Sequence, residues 1–169
     1  MLMDENVEVE RLKVEIIQQR LKEMGQLHIF SNFDPLEILE IIKIARLQQY
    51  TKNSVVFSEG DEDKSLYIIV KGNFNVTATS LKKSGDALSF FCMGDGLVFG
   101  EMAFLDLGKR SATITTTTDS EVLIITRDTF NEILANKPYI AAKLLLNLAE
   151  ILSRKLRGAD RRIQMNEPP

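Results

Sequence analysis

One glutamate and one arginine flank a short apolar stretch in FGEMAFLDLGKRSAT, residues 99–113. Arg110 carries a planar, permanently charged guanidinium that suits phosphate oxygens. Glu101 only accepts hydrogen bonds at neutral pH, so we expect it to bind a donor such as a sugar hydroxyl. Gly100 allows close approach to the main chain, and a helical turn over residues 100–104 would direct free N–H groups at an anion. A ligand with a phosphate at one end and a ribose at the other, which is the shape of a cyclic nucleotide, would satisfy both charged side chains.

The plain alternative is that Glu101 and Arg110 form a salt bridge across the turn without any ligand. Isolated pairs of this kind are common on protein surfaces and contribute little to stability. The two residues alone therefore favour the salt bridge, and only the pattern around them can reverse that preference.

The composition indicates a single globular domain with few options for catalysis. The chain has 169 residues, of which 44% are hydrophobic and 27% charged, enough to bury a core. A net charge of −3 gives no global attraction for nucleic acid. With one histidine, His28, and one cysteine, Cys92, clustered-histidine metal sites and internal disulfides are excluded, and we expect His28 to pack or cap at a helix end. The acidic first residues and the lack of a long apolar run predict a cytoplasmic protein.

Amphipathic helices are predicted at both ends of the chain. Apolar residues recur at helical spacing over residues 4–24, and a second helix is predicted to begin after Asp34, which can cap it. Helix returns over residues 128–134 and again after Pro138, and Gly158 is a natural stop for the last helix. The polar residues beyond that glycine are predicted to be disordered.

Short strands are predicted in the middle of the chain, where the apolar period changes to two or to short apolar runs. The predicted strands are residues 48–50, 55–58, 66–71, 73–80, 87–93, 111–116 and 121–126. Turns rich in glycine and aspartate separate them. Many short strands with regular turns predict a mainly β fold with flanking α-helices. The expected architecture is an antiparallel, jelly-roll-like β-roll, or double-stranded β-helix, with N-terminal and C-terminal helices.

The segment FGEMAFLDLGKRSAT resembles the phosphate-binding cassette of cyclic nucleotide-binding domains, such as those of the regulatory subunit of protein kinase A and of the catabolite activator protein. The family pattern is close to F-G-E-[LM]-A, followed after a short loop by R-x-A-T. The matching positions are Phe99, Gly100, Glu101, Met102, Ala103, Arg110, Ala112 and Thr113. The EGD turn at residues 59–61 and the LYIIVKG strand ending at Gly72 also fit, so the resemblance spans roughly residues 29–157. With the whole pattern present, ligand binding is the better interpretation of the two charged residues.

The resemblance implies a role for each matched residue. Glu101 would bind the ribose 2′-hydroxyl and Arg110 the cyclic phosphate, with backbone amides offered by Gly100 and Ala103. Ser111 follows the arginine and leaves both cAMP and cGMP open. The implied ligand-binding residues are Phe99, Gly100, Glu101, Met102, Ala103, Arg110, Ser111 and Ala112. No metal is implied.

In this family a side chain of the last helix often covers the base of the nucleotide. The candidates in this sequence are Leu152, Arg154, Lys155, Leu156 and Arg157. The three cations also suit the C-terminal end of a helix, where the helix dipole favours positive charge, so both interpretations stay open. Phe90, Phe91 and Val98 either line the pocket or belong to the core.

The resemblance divides the chain into an N-terminal amphipathic helix (residues 1–28), a cyclic nucleotide-binding domain that includes the lid helix (residues 29–158), and a disordered polar tail (residues 159–169). It implies a stand-alone sensor or regulatory domain that binds cAMP or cGMP and changes the positions of its helices on ligand binding. Such a domain uses no metal and catalyses no reaction. The alternative is a degenerate β-roll that has lost nucleotide binding and serves as a scaffold for dimerisation or protein binding.

The expected partners are the cyclic nucleotide, a second copy of the chain bound through the amphipathic helices, and an unidentified downstream protein. Neither nucleic acid nor a membrane is expected. The eleven residues after Gly158 are too few for a helix-turn-helix, and no apolar segment is long enough to span a bilayer. A metal-dependent enzyme on a similar roll would need several histidines, and the chain has one.

Overall fold

The structure of the protein, a computed structural model, describes residues 18–19, 22–79, 87–94 and 96–166, and within residues 87–92 and 161–166 it describes the backbone alone. Most of the amphipathic helix predicted over residues 4–24 lies outside these residues, and residues 22–25 are helical. The side chains of Phe90 and Phe91, predicted to line a pocket or the core, also lie outside the described part.

Two four-stranded antiparallel sheets form the body of the protein. The first sheet consists, in order, of β1 (Arg46–Tyr50), β8 (Ser120–Ile125), β3 (Leu66–Lys71) and β6 (Val98–Phe99). The second consists, in order, of β2 (Val55–Phe57), β7 (Thr113–Thr116), β4 (Phe74–Thr79) and β5 (Ala87–Met93). Because few neighbouring strands are consecutive in sequence, the chain crosses repeatedly between the sheets. The predicted antiparallel β-roll with flanking helices is confirmed.

The predicted strands agree closely with the observed ones. β3 and β5 have the predicted bounds, and the other five predicted strands begin and end within two residues of the observed positions. β6 is absent from the prediction, because a strand of two residues, both buried, shows no alternation that a sequence pattern can detect.

A 3₁₀ helix and an α-helix lie between the helical residues 22–25 and the first strand. The first is a 3₁₀ helix (His28–Phe30), in which Nδ1 of His28 lies 3.3 Å from the hydroxyl of Ser31. The second is helix α1 (Pro35–Ile44), which begins with a reciprocal cap. The N–H of Glu37 donates to the Asp34 carboxylate at 2.9 Å, and the N–H of Asp34 donates to the Glu37 carboxylate at 2.9 Å. The predicted start of this helix is therefore confirmed.

The chain ends in two helices, α3 (Arg127–Asn136) and the long α4 (Pro138–Asn166). The prediction that the last helix stops at Gly158 is wrong, and residues 159–166, predicted as disordered tail, continue it. Gly158 is not among the glycines with positive φ, so it does not form a left-handed cap. A glycine inside a helix costs about 1 kcal/mol relative to alanine, which a helix of this length tolerates. None of the described helices has the length and apolar character needed to cross a membrane.

The sheets and helices enclose two apolar clusters. β3 contributes to both, because alternate residues of a strand point to opposite faces of the sheet. Leu66 and Ile68 pack against the helices, whereas Tyr67 and Ile69 lie between the two sheets. This burial on both faces explains why β3 is a continuous apolar run rather than an alternating one.

The segment before the 3₁₀ helix also belongs to the packed domain. Met24 and Leu27 are buried in the cluster between the first sheet and the helices. The packed region therefore starts at or before Met24, ahead of the domain boundary predicted at residue 29.

Candidate functional site

A short helix, α2 (Glu101–Asp106), follows Gly100, where the sequence predicts a helical turn over residues 100–104. Gly100 has φ 77° and ψ 6°, a left-handed conformation that favours glycine. A Cβ at this position would lie 2.4 Å from Nη1 of Arg110 and 2.9 Å from the carbonyl oxygen of Ser65. Gly100 is therefore required both by the conformation of the turn and by the closeness of Arg110.

Arg110 lies at the centre of the cassette and is almost fully buried, with 1% of its side chain exposed. Its Nη1 donates to the carbonyl oxygen of Gly100 at 2.9 Å, and its Nη2 donates to that of Ser65 at 2.8 Å. Nη2 also forms an ion pair with Oδ2 of Asp63. The guanidinium carbon lies 4.1 Å from the ring centroid of Phe57, which adds a cation–π contact. These contacts hold the guanidinium in one orientation.

One donor of this arginine is unused. Nε of Arg110 is the one buried side-chain nitrogen or oxygen among the described residues that has no hydrogen-bond partner. An unpaired buried donor destabilises a protein by about 1–3 kcal/mol, and native proteins rarely contain one. Arg110 also lines the large cavity of the roll. An acceptor bound in that cavity, such as a phosphate oxygen, would supply the missing partner.

Asp63 is the anionic partner of Arg110, and the sequence pattern gave no sign of it. Its carboxylate also accepts hydrogen bonds from the hydroxyls of Ser65 at 2.7 Å and Tyr67 at 2.9 Å. Burial alone would raise the pKa of Asp63, but the hydrogen bonds from Ser65 and Arg110 and the charge of Arg110 outweigh it, so the pKa lies below its ordinary value. Burial and the nearby carboxylate raise the pKa of Tyr67, which keeps its hydroxyl a donor.

Acid is expected to weaken folding through Asp63. A carboxyl whose pKa is lower in the folded than in the unfolded chain contributes stability above its unfolded pKa, and this contribution is lost as the pH falls through the folded pKa. For Asp63 the decline should therefore begin near the ordinary pKa of 3.8 and continue below it. Denaturant unfolding of the wild type and Asp63→Asn between about pH 6 and about pH 3 measures the effect. The stability difference between the two should shrink on acidification, and a constant difference would contradict the assignment.

The EGD turn holds the main chain of Arg110. The N–H of Gly60 donates to the carbonyl oxygen of Arg110 at 2.8 Å, and the N–H of Arg110 donates to that of Asp61 at 2.9 Å. The Asp61 carboxylate in turn accepts the N–H of Ser58 at 2.8 Å, which closes the turn. The turn and the cassette, separated in sequence, therefore form one unit around the arginine.

Glu101 does not pair with Arg110. Its carboxylate, 11% exposed, accepts a hydrogen bond from Nζ of Lys155 at 2.9 Å. The same Nζ donates to the carbonyl oxygen of Val98 at 2.9 Å. The two charges alone would favour a salt bridge across the turn, but each residue has a different partner. The Arg110–Asp63 pair joins the cassette to the segment before β3, and the Glu101–Lys155 pair joins it to helix α4. Glu101 and Arg110 each keep a fixed orientation beside the cavity.

A cavity of about 780 Å³ lies between the cassette, the interior of the roll and helix α4. All the residues predicted to bind the ligand line it, namely Phe99, Gly100, Glu101, Met102, Ala103, Arg110, Ser111 and Ala112. Apolar lining that the motif did not indicate comes from Phe57, Val76, Met93 and Ile114. These side chains point into the roll from several strands, so only the folded topology brings them together.

Helix α4 covers one side of this cavity. Four of the five candidates for covering the base line it, namely Leu152, Arg154, Lys155 and Leu156. Gly158 and Ala159, which were not candidates, line it as well. Residues 152, 155, 156 and 159 share one helical face. Arg157 does not line the cavity, and its side chain is exposed. Val98 does not line it either and is buried in the cluster beside the helices.

Ser111 lines the cavity beside Met102, with its hydroxyl 3.6 Å from the Met102 sulfur. A serine hydroxyl both donates and accepts, so it is compatible with either purine. Within the described ranges, no group of three or more histidine, cysteine or acidic residues is placed to hold a metal ion.

Arg127, which no motif singled out, connects the cassette helix to α3. Its Nη1 donates to the carbonyl oxygen of Phe104 in α2 at 2.9 Å, and its guanidinium carbon lies 5.5 Å from the ring centroids of both Phe104 and Phe130. The two rings themselves meet edge to face at 5.3 Å. These contacts link α2 physically to α3.

The chain matches the model of one protein family, described as the cyclic nucleotide-binding domain, over residues 47–137. A curated relative, the cyclic AMP receptor protein of Thermus thermophilus, is 30% identical over 132 residues, which are 78% of this chain and 58% of that protein. The chain thus spans little more than half the length of this relative.

The fold is also found in solved structures. The catabolite activator protein of Thermus thermophilus superposes with a TM-score of 0.71 and 28% identity, covering 82% of this chain and 62% of that one. A cyclic nucleotide-binding domain from Methylobacillus flagellatus superposes with a TM-score of 0.80 and 22% identity, covering 92% of this chain and 86% of that one. The second likeness concerns the fold alone.

Proposed function

This chain belongs to the cyclic nucleotide-binding domain family, and from that premise we propose that it is a sensor domain that binds cAMP or cGMP. The observation that carries the proposal is the unpaired Nε of Arg110, a buried donor on a side chain that lines a cavity. A cyclic phosphate would provide the acceptor for this donor in a charge-assisted hydrogen bond.

The second charged group of the cavity suits the other end of the same ligand. Glu101 accepts hydrogen bonds and lies on α2, next to the N–H groups of the cassette. We assign it to the ribose 2′-hydroxyl and assign the backbone amides of Gly100 and Ala103 to the phosphate. The base would then lie towards α4, where Leu152 and Leu156 offer apolar surface.

The proposed response is a shift between two populations of helix positions. Phosphate binding would draw α2 towards Arg110, α3 would follow through Arg127 and Phe130, and α4 would close over the base. This requires the closed state to bind nucleotide more tightly than the open one. The contacts of Arg127 with α2 supply the physical link that the response needs.

Calorimetric titration with cAMP and with cGMP tests the proposal, and the stronger binder identifies the ligand. Saturable binding of one nucleotide per chain is expected, and amide exchange over residues 140–157 should slow at saturation. Absence of binding by both nucleotides would favour the scaffold alternative, in which the roll only docks on other proteins. If amide exchange over residues 140–157 is unchanged when nucleotide binds, the proposed response is contradicted, although the binding itself is not.

We also propose that the chain forms a homodimer through α4. Leu146 and Leu156 are 67% and 65% exposed. Together with the exposed Ala142, Ala149 and Ser153 they recur at alternating steps of four and three residues, which is the heptad spacing of a coiled-coil seam. A second copy of the same helix would cover this strip.

Light scattering at micromolar protein measures the oligomeric state. A dimer mass is expected for the wild type, and Leu146→Lys should lower it towards the monomer by placing a charge in the seam. Lys143→Met, a matched change on the same helix but off the strip, should leave the mass unchanged. A wild-type monomer would refute the proposed dimer.

A further inference from the structure

The two halves of α4 are fastened to different parts of the protein. In the first half, Lys143 pairs with Glu37 at 2.7 Å, and the amide of Asn147 donates to the carbonyl oxygen of Ile29 at 2.9 Å. Both contacts reach the helices before β1. Beyond Asn147, α4 reaches the cassette through Lys155, whose Nζ contacts Glu101. The second half of α4 is thus joined to the Glu101 carboxylate, which is assigned to the ribose.

The Lys155–Glu101 pair fixes one oxygen of the carboxylate. Glu101 is nearly buried, and an ionised carboxylate in such a position needs a cation or several donors. Lys155 supplies the charge at Oε1. A carboxylate accepts hydrogen bonds at both oxygens, so a donor at Oε2 is compatible with the lysine remaining in place. The second contact of Lys155, with the carbonyl oxygen of Val98, ties the ammonium to the main chain that leads into the cassette.

We propose that Lys155 is a positioning residue for ribose recognition. It holds Glu101 in one orientation through Oε1, so that Oε2 accepts the 2′-hydroxyl of a cyclic nucleotide, and the same bond holds α4 over the ligand. The inference rests on the proposed function, because it assumes that the cavity takes a cyclic nucleotide. It assigns to one lysine both the choice of a ribose over a deoxyribose and the closing of α4.

A comparison of two ligands tests the inference. The dissociation constants of the full chain for cAMP and 2′-deoxy-cAMP, or for the guanine pair if cGMP binds more tightly, are measured by calorimetry. A hydrogen bond to a charged group contributes about tenfold or more in affinity, so the wild type should prefer the ribose ligand by that factor. In Lys155→Met the preference should fall to about threefold or less, with most of the loss on the ribose ligand.

One control variant and two further substitutions of Lys155 complete the test. Lys143→Met also removes a lysine of α4 that pairs with a glutamate, but away from the cavity, and it should leave the preference at its wild-type value. Should circular dichroism report that Lys155→Met is unfolded, Lys155→Gln replaces it with the same expected loss of preference. Lys155→Arg, which keeps the charge, should restore most of it.

The remaining outcomes each overturn the inference. An unchanged preference, with both ligands weakened equally, would mean that Lys155 only covers the ligand. A larger preference would mean that it competes with the ribose for Glu101. If the wild type binds no cyclic nucleotide, the proposed function itself fails, and this result is distinct from a wild type that binds but shows no effect of the lysine.

Discussion

Replacing Arg110 by leucine is expected to weaken the binding of a cyclic nucleotide at least about tenfold. The change removes the donor groups assigned to the phosphate, and each lost charge-assisted hydrogen bond lowers affinity by about 1.5–3 kcal/mol. A factor of ten corresponds to about 1.4 kcal/mol, so one lost bond is enough. Calorimetry with the preferred nucleotide measures the effect.

The same substitution should also destabilise the fold. Arg110 is 1% exposed and its partner Asp63 is 38% exposed, so leucine leaves a half-buried carboxylate without its cation. Breaking a fully buried pair costs about 3–5 kcal/mol, and the exposure of Asp63 lowers our expectation to about 2 kcal/mol or more. Lower stability alone therefore cannot be read as loss of the site.

A double variant separates the two effects. Arg110→Leu combined with Asp63→Asn removes the unpaired charge. The amide oxygen can still accept from Ser65, and the amide nitrogen can donate to the Tyr67 hydroxyl, which reverses the direction of that bond. We expect the double variant to recover part of the stability and none of the binding. A folded double variant that binds nucleotide as the wild type does would show that Arg110 is a structural residue only.

Gly100→Ala is expected to have the second large effect, on both stability and binding. The added Cβ would lie 2.4 Å from Nη1 of Arg110 and 2.9 Å from the Ser65 carbonyl oxygen, both far inside contact distance. The arginine can move only by breaking its bonds to Gly100 and Ser65, because these bonds define its position. We expect the nucleotide affinity to fall at least about tenfold and the free energy of unfolding by about 2 kcal/mol or more.

The control for Gly100→Ala is Gly96→Ala. Gly96 has φ 80°, almost the same as Gly100, but a Cβ there would make only an ordinary contact with Leu27 at 3.8 Å. Both variants carry the strain of a left-handed alanine, about 1–2 kcal/mol, and only Gly100→Ala adds the collision with Arg110. Equal effects of the two variants on unfolding and binding would mean that the collision is relieved without loss.

Local patterns predicted much of the fold. The cap at Asp34, the bounds of β3 and the turn after Gly100 depend on residues within a few positions of one another, and each is found where the sequence places it. Gly158 shows the limit of such reasoning. Its sequence position suits a helix stop, but a stop also requires a left-handed conformation, which only the surrounding structure decides.

The sequence did not indicate which residues pair with Arg110 and Glu101. Asp63 is 47 residues from Arg110, and Lys155 is 54 residues from Glu101. No periodicity links such positions, because the pairing depends on how β3 and α4 pack around the cassette. The motif therefore identifies the two charged residues and leaves their orientation to the tertiary structure.

The amide of Asn147 has a consequence beyond the binding site. It donates to the carbonyl oxygens of Ile29 and Ser31, so the middle of α4 is bonded to the chain just before β1. These bonds couple α4 to the segment that leads into β1. A rotation of α4 during the proposed response would therefore reach both the segment before β1 and the end of α4, so partners attached at either place would be exposed to it.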